Sequence, residues 1–251
     1  MLKQFMVDEE DAIMVQEAPL RETVVTVFKK MGVNEADCAL AADVLVTADM
    51  RGVETHGVSN MLRGYVTGYG NGTLNPNPDW KIVRETPATA NIDSDAGLGI
   101  IVVPKAMEIA IEKAKNTGVG MVTIRNGRHM GMASYHAMMA LEHDMIGVTM
   151  TSCPPGVLPT FGAEPRLGTN PIAIAAPAKN EAPFLFDAAT SAIAGNKVGL
   201  AERVNANLLP GWVSDAEGTP ITEESPVRKR GEYYILPLGG TREQGSHKGY
   251  G

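Results

Sequence analysis

Cysteine is nearly absent from this sequence. Its 251 residues include only Cys38 and Cys153, which form neither a C-x-x-C pair nor a metal-ligand spacing. A metal site is therefore not expected, and such low cysteine usage is typical of proteins of the reducing cytoplasm. No apolar run approaches the length of a membrane span, which argues against a membrane partner.

Positive charge is also scarce. The formal net charge is −7, and the only basic run, Arg228-Lys229-Arg230, is best explained as a solvated loop. Proteins that bind nucleic acid present a basic patch or stripe to the phosphates. The charge distribution therefore argues against a nucleic-acid partner.

Several motifs that define common enzyme classes are missing. No G-x-G-x-x-G segment opens a helix after a strand, which argues against a Rossmann dinucleotide fold. The nearest approach, Gly68-x-Gly70-x-Gly72, follows a helix and is best explained as a helix stop. The chain also lacks G-x-x-x-x-G-K-[ST], H-E-x-x-H and G-x-S-x-G. Their absence argues against phosphoryl transfer, zinc proteolysis and α/β-hydrolase chemistry.

What the sequence does contain is a helical first part followed by mixed helices and strands. Apolar residues at helical spacing predict helices over residues 20–31, after Asn34 as N-cap, and over residues 58–68. From residue 80 onward strands mix with helices, without the regular βαβ alternation of a doubly wound sheet. The strands are predicted over residues 81–84, 88–93, 119–124, 146–151, 171–176 and 183–186, and the later helices over residues 101–115, 132–143 and 197–204.

This pattern predicts an α/β (α+β) chain with two parts. Residues 1–78 are expected to form an N-terminal helical unit that carries a catalytic loop, and residues 79–251 a domain built on a sheet. Within the first part, the acidic and weakly patterned residues 1–18 are expected to form an extended arm or an edge strand.

Histidine and arginine carry the remaining chemical signal. His136 and His143 share one predicted helix, and such histidines are more often packing or surface residues than ligands. His56 and His129 differ because both lie on loops flanked by glycines, where a rigid scaffold can aim a proton carrier. A lone loop histidine is weak evidence, but a pair with a nearby arginine suits 2-hydroxy acid chemistry, since arginine binds carboxylates in two-point fashion.

Six segments carry a family resemblance. They are Ala48–Val58 (ADMRGVETHGV), Arg125–Gly131 (RNGRHMG), Gly168–Ala173 (GTNPIA), Phe186–Ser191 (FDAATS), Gly211–Gly218 (GWVSDAEG) and Leu236–Gly251 (LPLGG through KGYG). In this order they resemble the type-2 malate/L-lactate dehydrogenase family of non-Rossmann NAD(P)-dependent oxidoreductases. The resemblance implies a largely antiparallel central sheet that binds NAD or NADP, in a cytoplasmic homodimer with its active site near the interface.

The resemblance also implies roles for individual residues. Either His129, or His56 aided by Thr55, would exchange the proton of the reaction. Arg51, in the polar centre around His56, and Arg63 are expected to bind the substrate. Arg63 would anchor the substrate carboxylate, because Asn60 stands where the family commonly has an arginine. Cofactor contacts are implied for Cys153, Asp187, Ala188, Ala189, Lys197, Lys248 and Gly249.

The implied reaction is hydride transfer between NAD(P) and C2 of a small 2-hydroxy or 2-oxo acid such as malate or lactate. Two alternatives use the same scaffold, reduction of a cyclic imine-2-carboxylate and oxidation of ureidoglycolate. Family members continue past K-G-Y-G with further helices, so the chain is expected to be C-terminally truncated. A third alternative is therefore a non-catalytic remnant that binds the dinucleotide.

Overall fold

The computed structural model describes residues 3–250, and they fall into two compact units. Residues 14–149 and 174–186 form one unit, here called the histidine unit. The other, here called the C-terminal unit, contains the described residues 3–13, 150–173 and 187–250. The units do not follow the predicted division at residue 78, because the chain on both sides of that point lies in the histidine unit.

Six α-helices and eight β-strands are present among residues 3–250. The helices are α1 Glu17–Lys30, α2 Glu35–Met50, α3 Val58–Gly70, α4 Gly99–Thr117, α5 Ala133–Met138 and α6 Gly195–Arg203. The strands are β1 Lys81–Glu85, β2 Thr89–Asp93, β3 Met121–Arg125, β4 Gly147–Met150, β5 Ile172–Ala176, β6 Phe184–Ala188, β7 Val213–Ser214 and β8 Tyr234–Ile235. Short 3-10 helices cover Lys3–Phe5, Glu54–His56, Met139–His143 and Ser246–Gly249.

The first three helices form the core that supports the candidate site. Val24 and Phe28 of α1 and Val44 and Leu45 of α2 are each at most 1% exposed, and burying a side chain of this size contributes roughly 1.5–3 kcal/mol. The predicted N-cap is confirmed, since Asn34 Oδ1 accepts a hydrogen bond of 3.0 Å from the backbone N–H that begins the next turn.

The strands form three small sheets, ordered β1-β2-β3, β4-β5-β6 and β7-β8. Strands β1 and β2 pair antiparallel, whereas β2 pairs with β3 in parallel. Since α4 connects β2 to β3, the histidine unit contains one βαβ crossover, and the sequence pattern did not predict it. The α/β class is confirmed, but a single, largely antiparallel sheet is not.

Two sequence predictions need correction. Of the two forms expected for residues 1–18, the edge strand is not found within residues 3–16; the described part opens with a 3-10 turn, residues 6–16 have no helix or strand, and α1 begins at Glu17. The physical reason lies in Phe5, which is buried and stacks on Trp212 with ring centroids 5.9 Å apart. The helix predicted over residues 132–143 is α-helical only to Met138 and then tightens into a 3-10 helix.

Within residues 3–250, no helix has both the length and the apolar character needed to cross a membrane.

Candidate active site

The loop that carries His129 spans residues 126–131 and follows the end of β3. Asn126 has a positive φ of 54°, and its carbonyl oxygen accepts a hydrogen bond of 3.2 Å from the backbone N–H of Ala96. Arg128 Nε donates to the carbonyl oxygen of Thr73 at 2.9 Å. Both contacts join the loop to neighbouring segments of the histidine unit, so the loop is held at two points.

Two glycines let the His129 loop pack tightly. Gly99 is the first residue of α4, and a Cβ there would lie 2.6 Å from the carbonyl oxygen of His129 and overlap that of Arg128. Gly131 has a positive φ of 73°, and a Cβ there would lie 2.7 Å from Cγ2 of Ile100. The start of α4 therefore supports the loop through direct backbone contact, for which only glycine leaves room.

His136 holds the far end of the same loop. Its side chain is fully buried on α5, and Nε2 donates to the carbonyl oxygen of Met130 at 2.8 Å. His143 lies on the surface. Both helix histidines thus have the packing or surface positions predicted for them, and His136 also positions the backbone next to His129.

The loop that carries His56 is a 3-10 turn between α2 and α3. Asp49, in the last turn of α2, accepts a hydrogen bond of 2.9 Å at Oδ2 from the backbone N–H of Val58, the first residue of α3. Burial raises the pKa of this carboxyl group. Gly57 must lack a side chain, because a Cβ there would overlap Asp49 Oδ1. The Asp49 carboxylate therefore fixes the position of His56 by capping the helix that follows it.

These two loops bring three predicted catalytic residues together. The rings of His56 and His129 stack with centroids 5.5 Å apart and an interplanar angle of 11°. Thr55 Oγ1 lies 2.8 Å from His56 Nδ1. Tyr65 Oη lies 2.7 Å from His129 Nδ1, and this tyrosine of α3 was not predicted as a site residue. On the sequence it looked like an ordinary member of an apolar helix face.

The environment of His129 favours its neutral form. The pKa of His129 is lowered to about 4, mainly by loss of hydration and to a smaller extent by the nearby His56. The residue still has exposed surface, which a substrate needs for access and which screens part of this effect. At neutral pH the ring is therefore uncharged.

This lowered pKa predicts how stability depends on pH. The unfolded chain binds a proton at His129 near pH 6.5, whereas the folded protein binds it only near pH 4. His129 therefore makes its full contribution to the free energy of unfolding above about pH 6.5, and this contribution is lost as the pH falls towards 4. Urea unfolding of the wild type and His129→Gln between about pH 7.5 and 4.5 measures it. A difference between the two proteins that does not change with pH would contradict this assignment.

The two arginines predicted to bind the substrate, Arg51 and Arg63, lie on the surface. Both guanidinium groups are exposed, and neither makes a hydrogen bond or an ion pair with any residue of the described range 3–250. Arg63 lies two positions before Tyr65 on α3, and residues at this spacing point to opposite sides of a helix. The structure therefore does not bring Arg63 to the histidines, and Arg51 stays available at the end of α2.

The predicted cofactor residues all lie in the C-terminal unit, where backbone contacts join their motifs. The backbone N–H of Thr190 donates to the carbonyl oxygen of Thr169 at 2.8 Å, and the N–H of Leu238 donates to that of Thr190 at 2.9 Å. A Cβ on Gly249 would lie 2.7 Å from the nitrogen of Leu238 and 2.8 Å from the carbonyl oxygen of Thr190. The G-T-N, D-A-A-T-S, L-P-L-G-G and K-G-Y-G segments thus form one cluster.

Individual members of this predicted set differ in their surroundings. The Cys153 backbone N–H donates to Asn170 Oδ1 at 2.8 Å, and its thiol is half-buried and free. Asp187 and Lys248 are exposed, and Ala188 and Ala189 are half-buried. The ammonium group of Lys197 lies 4.8 Å from the centroid of the Phe5 ring, a cation–π contact that the sequence did not predict.

Comparison with known proteins identifies the fold as that of a group of dehydrogenases. The malate dehydrogenase of Pyrococcus horikoshii is 46% identical over 244 residues, which cover 97% of this chain and 67% of that protein. Its solved structure matches with a TM-score of 0.85 at 42% identity over 98% of this chain and 66% of that one. The L-sulfolactate dehydrogenase of Methanocaldococcus jannaschii is 45% identical over 231 residues, 92% of this chain and 64% of that protein.

A family model described as malate/L-lactate dehydrogenase matches residues 15–251. The chain belongs to the malate/L-lactate dehydrogenase family. It spans about two thirds of the length of the relatives that it matches.

Proposed function

We propose that the protein is an oxidoreductase that transfers a hydride between NAD or NADP and C2 of a small 2-hydroxy or 2-oxo acid. The observation that carries the proposal is the stacked pair of His56 and His129 on two loops of the histidine unit. Two imidazoles in contact supply both a proton carrier and a second polar group for the same substrate oxygen. The relatives named malate and L-sulfolactate dehydrogenase support the same reaction class.

The reaction needs one proton at the C2 oxygen. In oxidation an imidazole nitrogen of His56 or His129 takes the hydroxyl proton of the 2-hydroxy acid, and in reduction it returns this proton to the carbonyl oxygen. When bound, the nicotinamide dinucleotide would supply the hydride chemistry at C2. The protein's contribution is to orient the acid and to move the proton, with the exposed guanidinium of Arg51 as the proposed partner of the substrate carboxylate.

The residues of the C-terminal unit fit a dinucleotide. Gly249 lets the K-G-Y-G segment lie directly against the backbone of Leu238 and Thr190, and the neighbouring Lys248 offers an exposed ammonium group for a phosphate. Asp187 at the end of β6 is exposed and can accept hydrogen bonds from a ribose. We therefore propose Cys153, Asp187, Ala188, Ala189, Lys197, Lys248 and Gly249 as the cofactor-binding set, in a homodimer of the cytoplasm.

An assay of this chain tests the proposal. Mixing it with NADH or NADPH and oxaloacetate, pyruvate or sulfopyruvate is expected to give oxidation of the cofactor, followed as loss of absorbance. The same panel with a cyclic imine-2-carboxylate, and with ureidoglycolate and the oxidised cofactors, separates the two alternatives on this scaffold. Turnover of one of these alone would replace the proposed substrate class.

Titration of NADH fluorescence separates the enzyme from a non-catalytic remnant. Binding together with turnover supports the enzyme. Binding without turnover of any substrate in the panel would favour a remnant that retains the dinucleotide site and has lost the reaction.

A further inference from the structure

The ring nitrogen Nδ1 of His129 has two neighbours on the protein side. Tyr65 Oη lies 2.7 Å away, and the backbone nitrogen of Gly131 lies 3.3 Å away. A backbone N–H can only donate, so Nδ1 must offer its lone pair to Gly131. A proton on Nδ1 would point at this N–H. Tyr65 must then also act as a donor towards the same nitrogen.

We propose that Tyr65 is a positioning residue that, together with the Gly131 N–H, holds neutral His129 in the tautomer with its proton on Nε2. His129 then donates a hydrogen bond to the C2 oxygen of the substrate, and His56 is the histidine that exchanges the proton. This inference rests on the proposed function. The sequence assigned proton exchange to either histidine, and the inference now gives each histidine a separate role.

The surroundings of Tyr65 support its role as a donor. The residue is only 4% exposed, and burial strongly raises the pKa of its hydroxyl, so the group stays neutral and keeps its proton. Its hydroxyl has no other hydrogen-bond partner among residues 3–250. A buried hydroxyl with a single partner is best satisfied by donating to it, and here Tyr65 shares the one lone pair of Nδ1 with the more distant Gly131 N–H.

The hydrogen-bond partners of the two histidines respond differently when the histidine ring gains or loses a proton. Nδ1 of His56 pairs with the hydroxyl of Thr55, and a hydroxyl can either donate or accept by rotating. His56 can therefore gain or lose a proton without losing this hydrogen bond. Gly131 cannot reverse its N–H in the same way, so protonation of Nδ1 would leave the N–H groups of His129 and Gly131 directed at each other. The lowered pKa of His129 agrees with this asymmetry.

Nitrogen-15 NMR of the histidine rings in the full chain tests the proposal directly. In the wild type at neutral pH, we expect His129 Nδ1 to have the chemical shift of an unprotonated nitrogen and Nε2 that of a protonated one. In Tyr65→Phe, which keeps the ring and removes only the hydroxyl, both shifts should move towards a mixture of tautomers. A wild-type spectrum with the proton on Nδ1 would overturn the proposal. This readout needs no turnover, so it is independent of the proposed function.

Tyr69→Phe is the matched control, because it makes the same change one turn further along α3. The Tyr69 hydroxyl is buried and has no hydrogen-bond partner within residues 3–250, so its removal should leave the His129 spectrum and the kinetics unchanged. Tyr65→Phe should lower kcat about tenfold, the loss of roughly one hydrogen bond, with a smaller change in KM. Equal effects of the two variants on the tautomer would contradict a specific role for Tyr65.

Discussion

His56→Gln is expected to lower kcat/KM for reduction of a 2-oxo acid by two to four orders of magnitude, which is the usual contribution of a general acid or base (~10²–10⁴). Glutamine is close to histidine in size and polarity but does not titrate near neutral pH. The pH dependence of kcat/KM that belongs to this proton carrier should disappear with the activity. Steady-state kinetics across a range of pH measures both effects.

His129→Gln and His143→Gln complete the comparison. Glutamine retains a side-chain donor, so His129→Gln should lose less activity than His56→Gln and should keep the pH dependence of the wild type. His143 is exposed at the end of the 3-10 helix that follows α5, and its variant should match the wild type. If His129→Gln abolished the pH dependence while His56→Gln retained it, the roles of the two histidines would have to be exchanged.

Gly99→Ala should misplace the His129 loop. The added Cβ would lie 2.6 Å from the carbonyl oxygen of His129, and the backbone of the loop cannot rotate away as a flexible side chain could. Displacement of a catalytic group by about 1 Å can cost roughly 10²-fold in rate, and overpacking of this kind costs about 1–3 kcal/mol of stability. We therefore expect a fall in kcat of about two orders of magnitude and a lower urea midpoint.

Gly64→Ala provides the control for this change. Gly64 lies within α3, and a Cβ there would meet no atom within 4 Å. Alanine in a helix is favoured over glycine by about 0.5–1 kcal/mol, so this variant should be slightly more stable and equally active. A Gly99→Ala protein with normal kcat would mean that α4 does not position the loop.

The sequence predicted the helical core and the two histidine loops well. The predicted boundaries of α1 to α4 agree with the observed ones within a few residues. Helical periodicity depends on neighbouring residues alone, and so do the signals that begin or end a helix, which here are Asn34, Gly118 and the glycines after residue 67. The sequence predicted that His56 and His129 serve the same reaction, but it did not predict that their rings stack. Their contact depends on how two loops 73 positions apart fold together, and no local pattern reports that distance.

The residues missed by sequence reasoning all act through tertiary contacts. Tyr65 looks like one more apolar position of α3, and its hydroxyl becomes important only because His129 lies beside it. Asp49 looks like one polar residue among several, yet it caps α3 and requires glycine at position 57. The role of Arg63 stays a prediction, because a match in residue type says nothing about the direction in which its side chain leaves the helix.

The backbone contact between α4 and the His129 loop also has an electrostatic consequence. The N-terminal end of a helix carries a partial positive charge from its unpaired N–H groups, and here that end lies against the carbonyl groups of Arg128 and His129. This field attracts the carbonyl oxygens and so favours the packing of the loop on α4. Because it arises from peptide dipoles, no side-chain substitution in the loop removes it, and the attraction between the loop and α4 is built into the path of the main chain.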